Sequence, residues 1–413
     1  LNKVVIIGGG VSGLCSAYFL NEKGFEVVVV DKTDITDGCS YGNAGLIVPS
    51  HIIPLAAPGM MAMGIKWMFT KGSPFYIQPK LSRDLISWTW KFHKASTKEK
   101  VEKAIPVLRD LNLASKSIFE SWSSQMAMGL EQKGLLIYCK ERHTLEEEVE
   151  VASVASKAGL ETEIYSSESI QGLEKNMDLT VAGAVHYPGD AHITPNIFIP
   201  ALIARLKEKG VKFVLNTEIK KINTEGNRIA SVEAGEKTIT ANHFVIAGGT
   251  WSDLIGKGLQ VSMPLQAGKG YSMMMKNAPQ PMEIPSVLAE ARVAVTPMQH
   301  GIRFAGTMEI AGINHNINKD RVHAIKNSVK GYFPAFGMDH FEGSEPWAGL
   351  RPCSPDGLPY IGKFKAYKNL YTGAGHAMMG LSLGPITGKL IAESICNEKP
   401  SVDMSLLNPD RYN

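Results

Sequence analysis

The chain has 413 residues, with 43 lysines and arginines against 40 aspartates and glutamates and a formal net charge of +3. That length accommodates two or three ordinary domains around a large core, and the near-balance of charge excludes a nucleic-acid partner. Five cysteines, Cys15, Cys39, Cys139, Cys353 and Cys396, form no CxxC pair, which excludes a disulfide framework or zinc site and fits a reducing, cytoplasmic setting.

In chain order, an apolar run at 4–7 leads into Gly8-Gly9-Gly10-Val11-Ser12-Gly13. A helical stretch to residue 20 and a second apolar run at 27–30, ending on Asp31, follow. The order is strand, glycine turn, helix, strand, acid. Gly8 suits the tight turn, Gly10 lets backbone approach a pyrophosphate, and Gly13 lets the helix sit close on the sheet. The helix N-terminus offers N–H groups to phosphates. Asp31, eighteen residues after Gly13, is placed to accept hydrogen bonds from a ribose. Dinucleotide binding is the expected task of this unit. Because the chain opens on the first strand, no targeting segment is expected.

The run Gly38-Cys39-Ser40-Tyr41-Gly42-Asn43-Ala44-Gly45 comes next; it suits backbone lying along a pyrophosphate and a flat ring, or equally a polar loop. Residues 52–69 come nearest to a membrane span but are broken by Pro54, Pro58 and Lys66. With Met60, Met61, Met63 and Met68 they read as a core or lid helix, and peripheral contact with the inner face of a membrane stays open. Helical periodicity covers 81–92 and 101–128, and Glu146-Glu147-Glu148 reads as a solvated helix face.

Thr194-Pro195 starts a helix by N-cap and N1 chemistry, running to about residue 209 and ended by Gly210. Strands are expected at 211–215, 219–222 and 229–232. A further strand at 244–247 enters Gly248-Gly249-Thr250-Trp251, a turn suited to lying beside a cofactor. From 263 to 341 the pattern is short strands, at 271–275, 292–296 and 302–305. His51 and His192 fall in expected loops and read as solvated.

The economical architecture is α/β. A discontinuous Rossmann-like cofactor domain takes 1–57, 190–261 and 341–413, and an α+β substrate domain with an antiparallel sheet takes 58–189 and 262–340.

Two C-terminal motifs carry chemistry. Arg351 stands in Gly349-Leu350-Arg351-Pro352-Cys353-Ser354-Pro355, an apolar setting where an unpaired guanidinium is costly. It needs an anion, either a protein carboxylate or a substrate carboxylate gripped by both arms of the fork. Gly373-Ala374-Gly375-His376-Ala377-Met378-Met379-Gly380-Leu381-Ser382 leads glycines into an apolar helix, bringing N–H groups to where negative charge develops. His376 reads as a packed, hydrogen-bonded histidine and not as a base.

Taken together these pieces resemble the flavin-dependent D-amino-acid oxidase superfamily, its bacterial D-amino acid dehydrogenase branch most of all. The residues that carry the resemblance are 8–31, Asn43-Ala44-Gly45, Ala57-Pro58-Gly59 with Lys66-Trp67-Met68-Phe69, and Lys269-Gly270-Tyr271-Ser272. Gly349-Leu350-Arg351-Pro352, Pro355-Asp356-Gly357 and Gly375-His376 with Gly380 complete it.

The resemblance implies an extended, non-covalent FAD. Gly8, Gly10, Val11, Ser12 and Gly13 would take its pyrophosphate, and Asp31 and Lys32 the adenosine ribose. Ser40 with Asn43, Ala44, Gly45 and Leu46 would lie along pyrophosphate and flavin. Ile219 would meet adenine through its backbone, and Gly248 and Trp251 would lie beside the cofactor. Gly375, His376, Ala377, Met378, Met379, Gly380, Leu381 and Ser382 would wrap the flavin edge. Arg351 matches the arginine that grips the substrate carboxylate, and Tyr271 a second carboxylate or pocket contact. Met378 stands where the glycine oxidase branch carries an arginine, which implies a more apolar pocket. The cysteine that anchors flavin in the sarcosine oxidase branch has no match.

The implied activity is FAD-dependent dehydrogenation of a small D-amino acid or cyclic imino acid, of D-proline or hydroxyproline type, by hydride transfer from the α carbon to flavin N5. No general base is assigned, because an amine bound neutral needs none. The electron acceptor stays open between a quinone, an artificial acceptor and oxygen. So do an oxidase of glycine or sarcosine type, a flavoprotein subunit of a larger dehydrogenase, and a nicotinamide-dependent reductase with the same N-terminal fingerprint.

Overall fold

A computed structural model describes residues 2–68, 73–78 and 82–413 of the chain; Phe69 and Leu81 of the sequence patterns lie outside the described residues. The strand Lys3–Ile7 is apolar on both faces. Val4 and Ile6 project into one core and Val5 and Ile7 into another, as a central parallel strand requires. It pairs in parallel with Glu26–Val30 on one side and His243–Ile246 on the other. The six-stranded sheet then extends to Lys212–Val214 at one edge and through Leu370–Ala374 to Tyr360–Lys363 at the other.

Helices Val11–Glu22, Gly384–Cys396, Lys98–Ser123 and Pro195–Glu208 bury their apolar sides on one face of this sheet. The first two touch so closely that a Cβ on Gly388 would stand 2.6 Å from the Ser16 nitrogen. Pro195 occupies the first turn of its helix, as expected, although Thr194 contributes no side-chain cap. An antiparallel sheet of Ile219–Glu225, Arg228–Ala234 and Lys237–Thr240 covers the opposite face.

The second sheet has nine strands and is mostly antiparallel, with parallel pairings of Ser286–Leu288 to Leu135–Cys139 and of Phe75–Ile77 to Gly301–Ile310. At its heart Gln266–Met275 lies between Gly301–Ile310 and Trp347–Cys353. Trp347, Ser272, Ala305, Ala294 and Val287 are successive cross-strand partners. Partners in one row share one face of a pleated sheet, so this row presents small side chains, closed at one end by an indole.

Four expectations need correcting. Within the described part of the 52–69 run the helix covers Met60–Met68, because prolines at 54 and 58 keep the preceding backbone out of it. Its Met60 and Met61 pack against Ala56, Trp88, Phe92 and Met308, and among the described residues no helix is long and apolar enough to cross a membrane. Glu148 leaves the solvated face of helix Arg142–Lys157 and turns toward Arg292, at 3.8 Å. The stretch taken as strands also holds a helix, Lys319–Lys330, capped by the Asn318 side chain, which accepts from the Asp320 and Arg321 N–H groups. His192 is not solvated, being buried in the short pairing of Ala191–His192 with Leu46–Ile47, while His51 is half-buried and borders the cavity described next.

Candidate active site

A cavity of about 1140 Å³ runs between the two sheets. Gly8, Gly10, Val11 and Ser12 border it at the first turn. Gly8 has a φ of +111°, and a Cβ there would lie 2.7 Å from the Ala247 carbonyl carbon, so only glycine fits. The helix beyond begins on Gly10 with no side-chain cap. One of its first amides, Val11 N–H, donates to Ser40 Oγ at 3.0 Å, while Ser12 Oγ is buried without a partner among the described residues. An open cradle of helix N–H groups with an orphaned hydroxyl fits a bound pyrophosphate.

Asp31 and Lys32 lie at one end of this cavity. The Asp31 carboxylate accepts from Gly9 N–H at 2.6 Å and from the Thr33 N–H and hydroxyl, both at 2.9 Å, which aims it at the cavity. Lys32 Nζ stands 3.4 Å from the centre of the Trp251 ring, which His315 stacks against. Ile219 and Gly248 border the same end, together with Thr217 and Glu218, which the sequence reading did not single out.

Toward the other end the walls are Ser40, Asn43, Ala44 and Leu46, then His376, Ala377, Met378, Met379, Gly380, Leu381 and Ser382. The loop before Leu46 is held by a cation: Arg303, buried at 8 % exposure, donates from Nη1 to the Asn43 carbonyl at 2.7 Å. The loop after His376 is held from afar. Ser382 Oγ donates to Asn112 Oδ1 at 3.1 Å, and its carbonyl accepts from Ser115 Oγ at 2.5 Å. His376 is packed, as expected. Its Nε2 lies 2.8 Å from Thr387 Oγ1, and burial pushes the imidazole down to about 4.

Gly13, Gly45 and Gly375 do not border the cavity. They shape its wall from behind: a Cβ on Gly13 would strike the Gly8 carbonyl, one on Gly45 the Ile193 carbonyl, and one on Gly375 would lie 2.7 Å from the Tyr360 ring.

Arg351 borders the cavity over the second sheet. Its Nη1 donates to the Thr307 carbonyl at 2.6 Å, and among the described residues it forms no ion pair. Burial alone drives its pKa down. The alternative of a structural salt bridge is thereby removed, and the remaining guanidinium N–H groups need an anion. Gly270 makes room for it, since a Cβ there would lie 2.5 Å from Arg351 Cζ and from Nη2. The row from Trp347 to Val287 forms the floor, with the indole lying over Gly42 and Gly349 so that side chains on either would collide with it.

Tyr271 is also among the residues bordering the cavity, but its side chain is engaged on the far side of the strand. Arg351 pairs with Gly268, so its side chain rises on the face of Gly268, Gly270 and Ser272, and Tyr271 projects from the opposite one. The Tyr271 hydroxyl donates to Glu309 Oε2 at 2.9 Å and accepts from Asn318 N–H at 3.3 Å. Lys269 lies on that far face too, 3.4 Å from Glu309 and donating to Asn314 Oδ1 at 2.8 Å.

A two-sheet scaffold whose cavity is bordered both by a pyrophosphate cradle and by a half-buried arginine with no carboxylate partner among the described residues defines a flavin-type oxidoreductase. The chain matches the FAD dependent oxidoreductase family over residues 3–394 and belongs to it. FAD is its cofactor, which sets aside the nicotinamide alternative. It is 29 % identical over 433 aligned positions to a D-amino acid dehydrogenase of Granulibacter bethesdensis, with 99 % of both chains covered. It is 30 % identical over 420 to the enzyme of that name in Bradyrhizobium diazoefficiens, again with 99 % of both covered. Glycine oxidase from Geobacillus kaustophilus shares its fold, with a TM-score of 0.80, 20 % identity and full coverage of both chains.

Proposed function

We propose that this FAD-dependent oxidoreductase oxidises the Cα–N bond of a small D-amino acid or cyclic imino acid, proline and hydroxyproline types included. The observation that carries the reading is Arg351: a half-buried guanidinium with no carboxylate partner among the described residues, bordering the same cavity as the glycine turn. The names of the full-length relatives support the D-amino acid class. The floor of Ser272, Ala305 and Ala294 supports a compact substrate, ring or short chain.

In this reading residues 1–57, 190–261 and 341–413 form the cofactor half and the remainder the substrate half. Gly8 to Ser12, Asp31, Ser40 and the 376–382 segment hold FAD without a covalent bond. When bound, FAD supplies the hydride acceptor for the substrate Cα–H. Arg351 holds the substrate carboxylate through two parallel hydrogen bonds and so helps turn the single Cα–H across the cavity. Trp347 and the floor exclude water beneath the substrate, and Met378 keeps the rim apolar. The imine product is hydrolysed to a 2-oxo acid, or leaves as a ring imine.

The test is anaerobic bleaching of bound flavin by a panel of D- and L-amino acids, glycine, sarcosine, both prolines and the hydroxyproline isomers. Bleaching by D-amino acids or D-proline types supports the reading, and bleaching by none of the panel overturns it. Readmitting oxygen, a quinone or a dye to the reduced protein then identifies the acceptor. Turnover of the isolated chain with a dye excludes the need for a partner subunit.

A further inference from the structure

Asp190, Ser50 and His51 form a line of hydrogen-bonding groups that ends at the cavity, and nothing in the function above uses it. Asp190 is 1 % exposed and makes no ion pair among the described residues. Among the described residues its two carboxylate oxygens accept from Ser50 alone, Oδ1 from the N–H at 2.9 Å and Oδ2 from Oγ at 2.5 Å. Ser50 Oγ in turn lies 3.4 Å from His51 Nδ1. Since the Ser50 hydroxyl hydrogen is given to Asp190, its oxygen is left to accept, and His51 Nδ1 is the donor. That tautomer leaves a lone pair on Nε2, which has no protein partner among the described residues. His51 borders the cavity, and the segment around it packs on Val287 at the far end of the floor.

Amino acids arrive with a protonated amine, and a nitrogen without a lone pair cannot assist departure of hydride from the adjacent carbon. We propose that His51 takes the proton from the substrate ammonium and that Ser50 relays it to Asp190. In this step an N–H bond of the ammonium breaks and its electron pair stays on nitrogen. The proton joins His51 Nε2, the Nδ1 proton passes to Ser50 Oγ, and the Ser50 hydroxyl proton passes to Asp190 Oδ2. Nothing is oxidised or reduced. His51 touches the substrate; Ser50 and Asp190 are positioning and relay residues.

The surroundings suit these tasks. Burial, with the Arg292 cation from the hairpin that ends the floor, holds the His51 ring down at about 4, so at neutral pH the ring is uncharged and passes a proton on to Ser50 without keeping it. Asp190 feels Lys116 from helix Lys98–Ser123, and its charge in turn reaches the Tyr187 phenol. Burial pushes its carboxyl up to about 7, against the pull of the two Ser50 hydrogen bonds. A conduit that stays neutral therefore ends in a carboxylate that takes a proton near neutrality.

The inference rests on the amino-acid reading, and its test separates the two. With the substrate found by bleaching, kcat/KM of the holoenzyme is followed from pH 6 to 10.5 for the wild type, His51→Gln, Ser50→Ala, Ser50→Thr and Asp190→Asn. The relay predicts at least tenfold losses at pH 7 for His51→Gln, Ser50→Ala and Asp190→Asn. Near pH 10, where the amine arrives neutral, they return to within threefold of the wild type. Ser50→Thr, which keeps a hydroxyl, recovers most of what Ser50→Ala loses at pH 7. Binding of a carboxylate lacking an amine, read from the flavin spectrum, changes less than threefold throughout. Losses that are equal at every pH, or absent at pH 7, overturn the relay. Failure of every amino acid to bleach the wild type overturns the underlying reading instead.

Discussion

Replacing Gly270 by alanine tests the anchoring of Arg351 without touching the arginine. The added Cβ would lie 2.5 Å from Cζ and Nη2, where ordinary contact begins at 3.4 Å, so the guanidinium must withdraw by about 1 Å. Gly270 has no left-handed backbone, so the strand itself accepts alanine. The withdrawal breaks the donation to the Thr307 carbonyl, now 2.6 Å, and takes one arm of the fork off the substrate carboxylate. A hydrogen bond to a charged group contributes about 1.5–3 kcal/mol. Loss of about 2 kcal/mol corresponds to roughly 30-fold, at about 1.4 kcal/mol per tenfold. The expected result is a roughly 30-fold fall in kcat/KM, carried mainly by KM, with flavin retained and the melting temperature little changed. A matching loss is expected for a simple carboxylate ligand, measured by flavin absorbance. If both constants stay within threefold of the wild type, the guanidinium does not bind the carboxylate from where it stands.

Arg351→Lys keeps the charge but loses the planar fork, so KM rises at least tenfold while flavin content stays the same; steady-state kinetics checks this. Gly388→Ala drives a methyl group into the Cys15–Ser16 backbone. Overpacking of that kind costs about 1–3 kcal/mol, to be read from urea unfolding, and an unchanged midpoint would refute the close helix contact. His192 and His376, each 3 % exposed, are held down at about 4 by burial, against 6.5 in the unfolded chain. As pH falls below 6.5 the unfolded state takes up protons first, so the stability present above 6.5 is lost progressively down to about pH 4. The ceiling is about 3 kcal/mol for each histidine. Urea midpoints measured from pH 7 to 4 give the slope, and a flat profile would refute the burial of both.

The glycine turn was legible because its determinants are local. Gly8, Gly10 and Gly13 and the two flanking apolar runs fall within the first 31 residues, and the fold places them as the pattern requires. Arg351 was legible because an arginine among prolines and glycines has few ways to satisfy its charge. Less legible was what depends on register between distant segments. That Tyr271 and Arg351 occupy opposite faces follows only once Gly268 is known to pair with Arg351. The floor draws its row from five strands, none with a distinctive composition. His192 looked solvated because its burial comes from a pairing with Leu46. Asn112 and Ser115 gave no signal at all: they sit inside a helix with charged faces, and their role is to hold Ser382, some 270 residues away.

The order of strands in the six-stranded sheet bears on how the chain is made. Lys3–Ile7 and Glu26–Val30 leave the ribosome early, yet the other neighbour of Lys3–Ile7 is His243–Ile246, and the strand beyond that is Leu370–Ala374. At roughly 5–20 residues per second, the first strand waits on the order of ten to forty seconds with one apolar edge unpaired. Until then no complete cradle exists for the cofactor to bind. The nascent chain thus passes through a stretch of synthesis in which its most adhesive segment is open to other chains. Yield in a host should accordingly depend on chaperone supply during translation more than on flavin, whose contribution begins only once the last third of the chain has emerged.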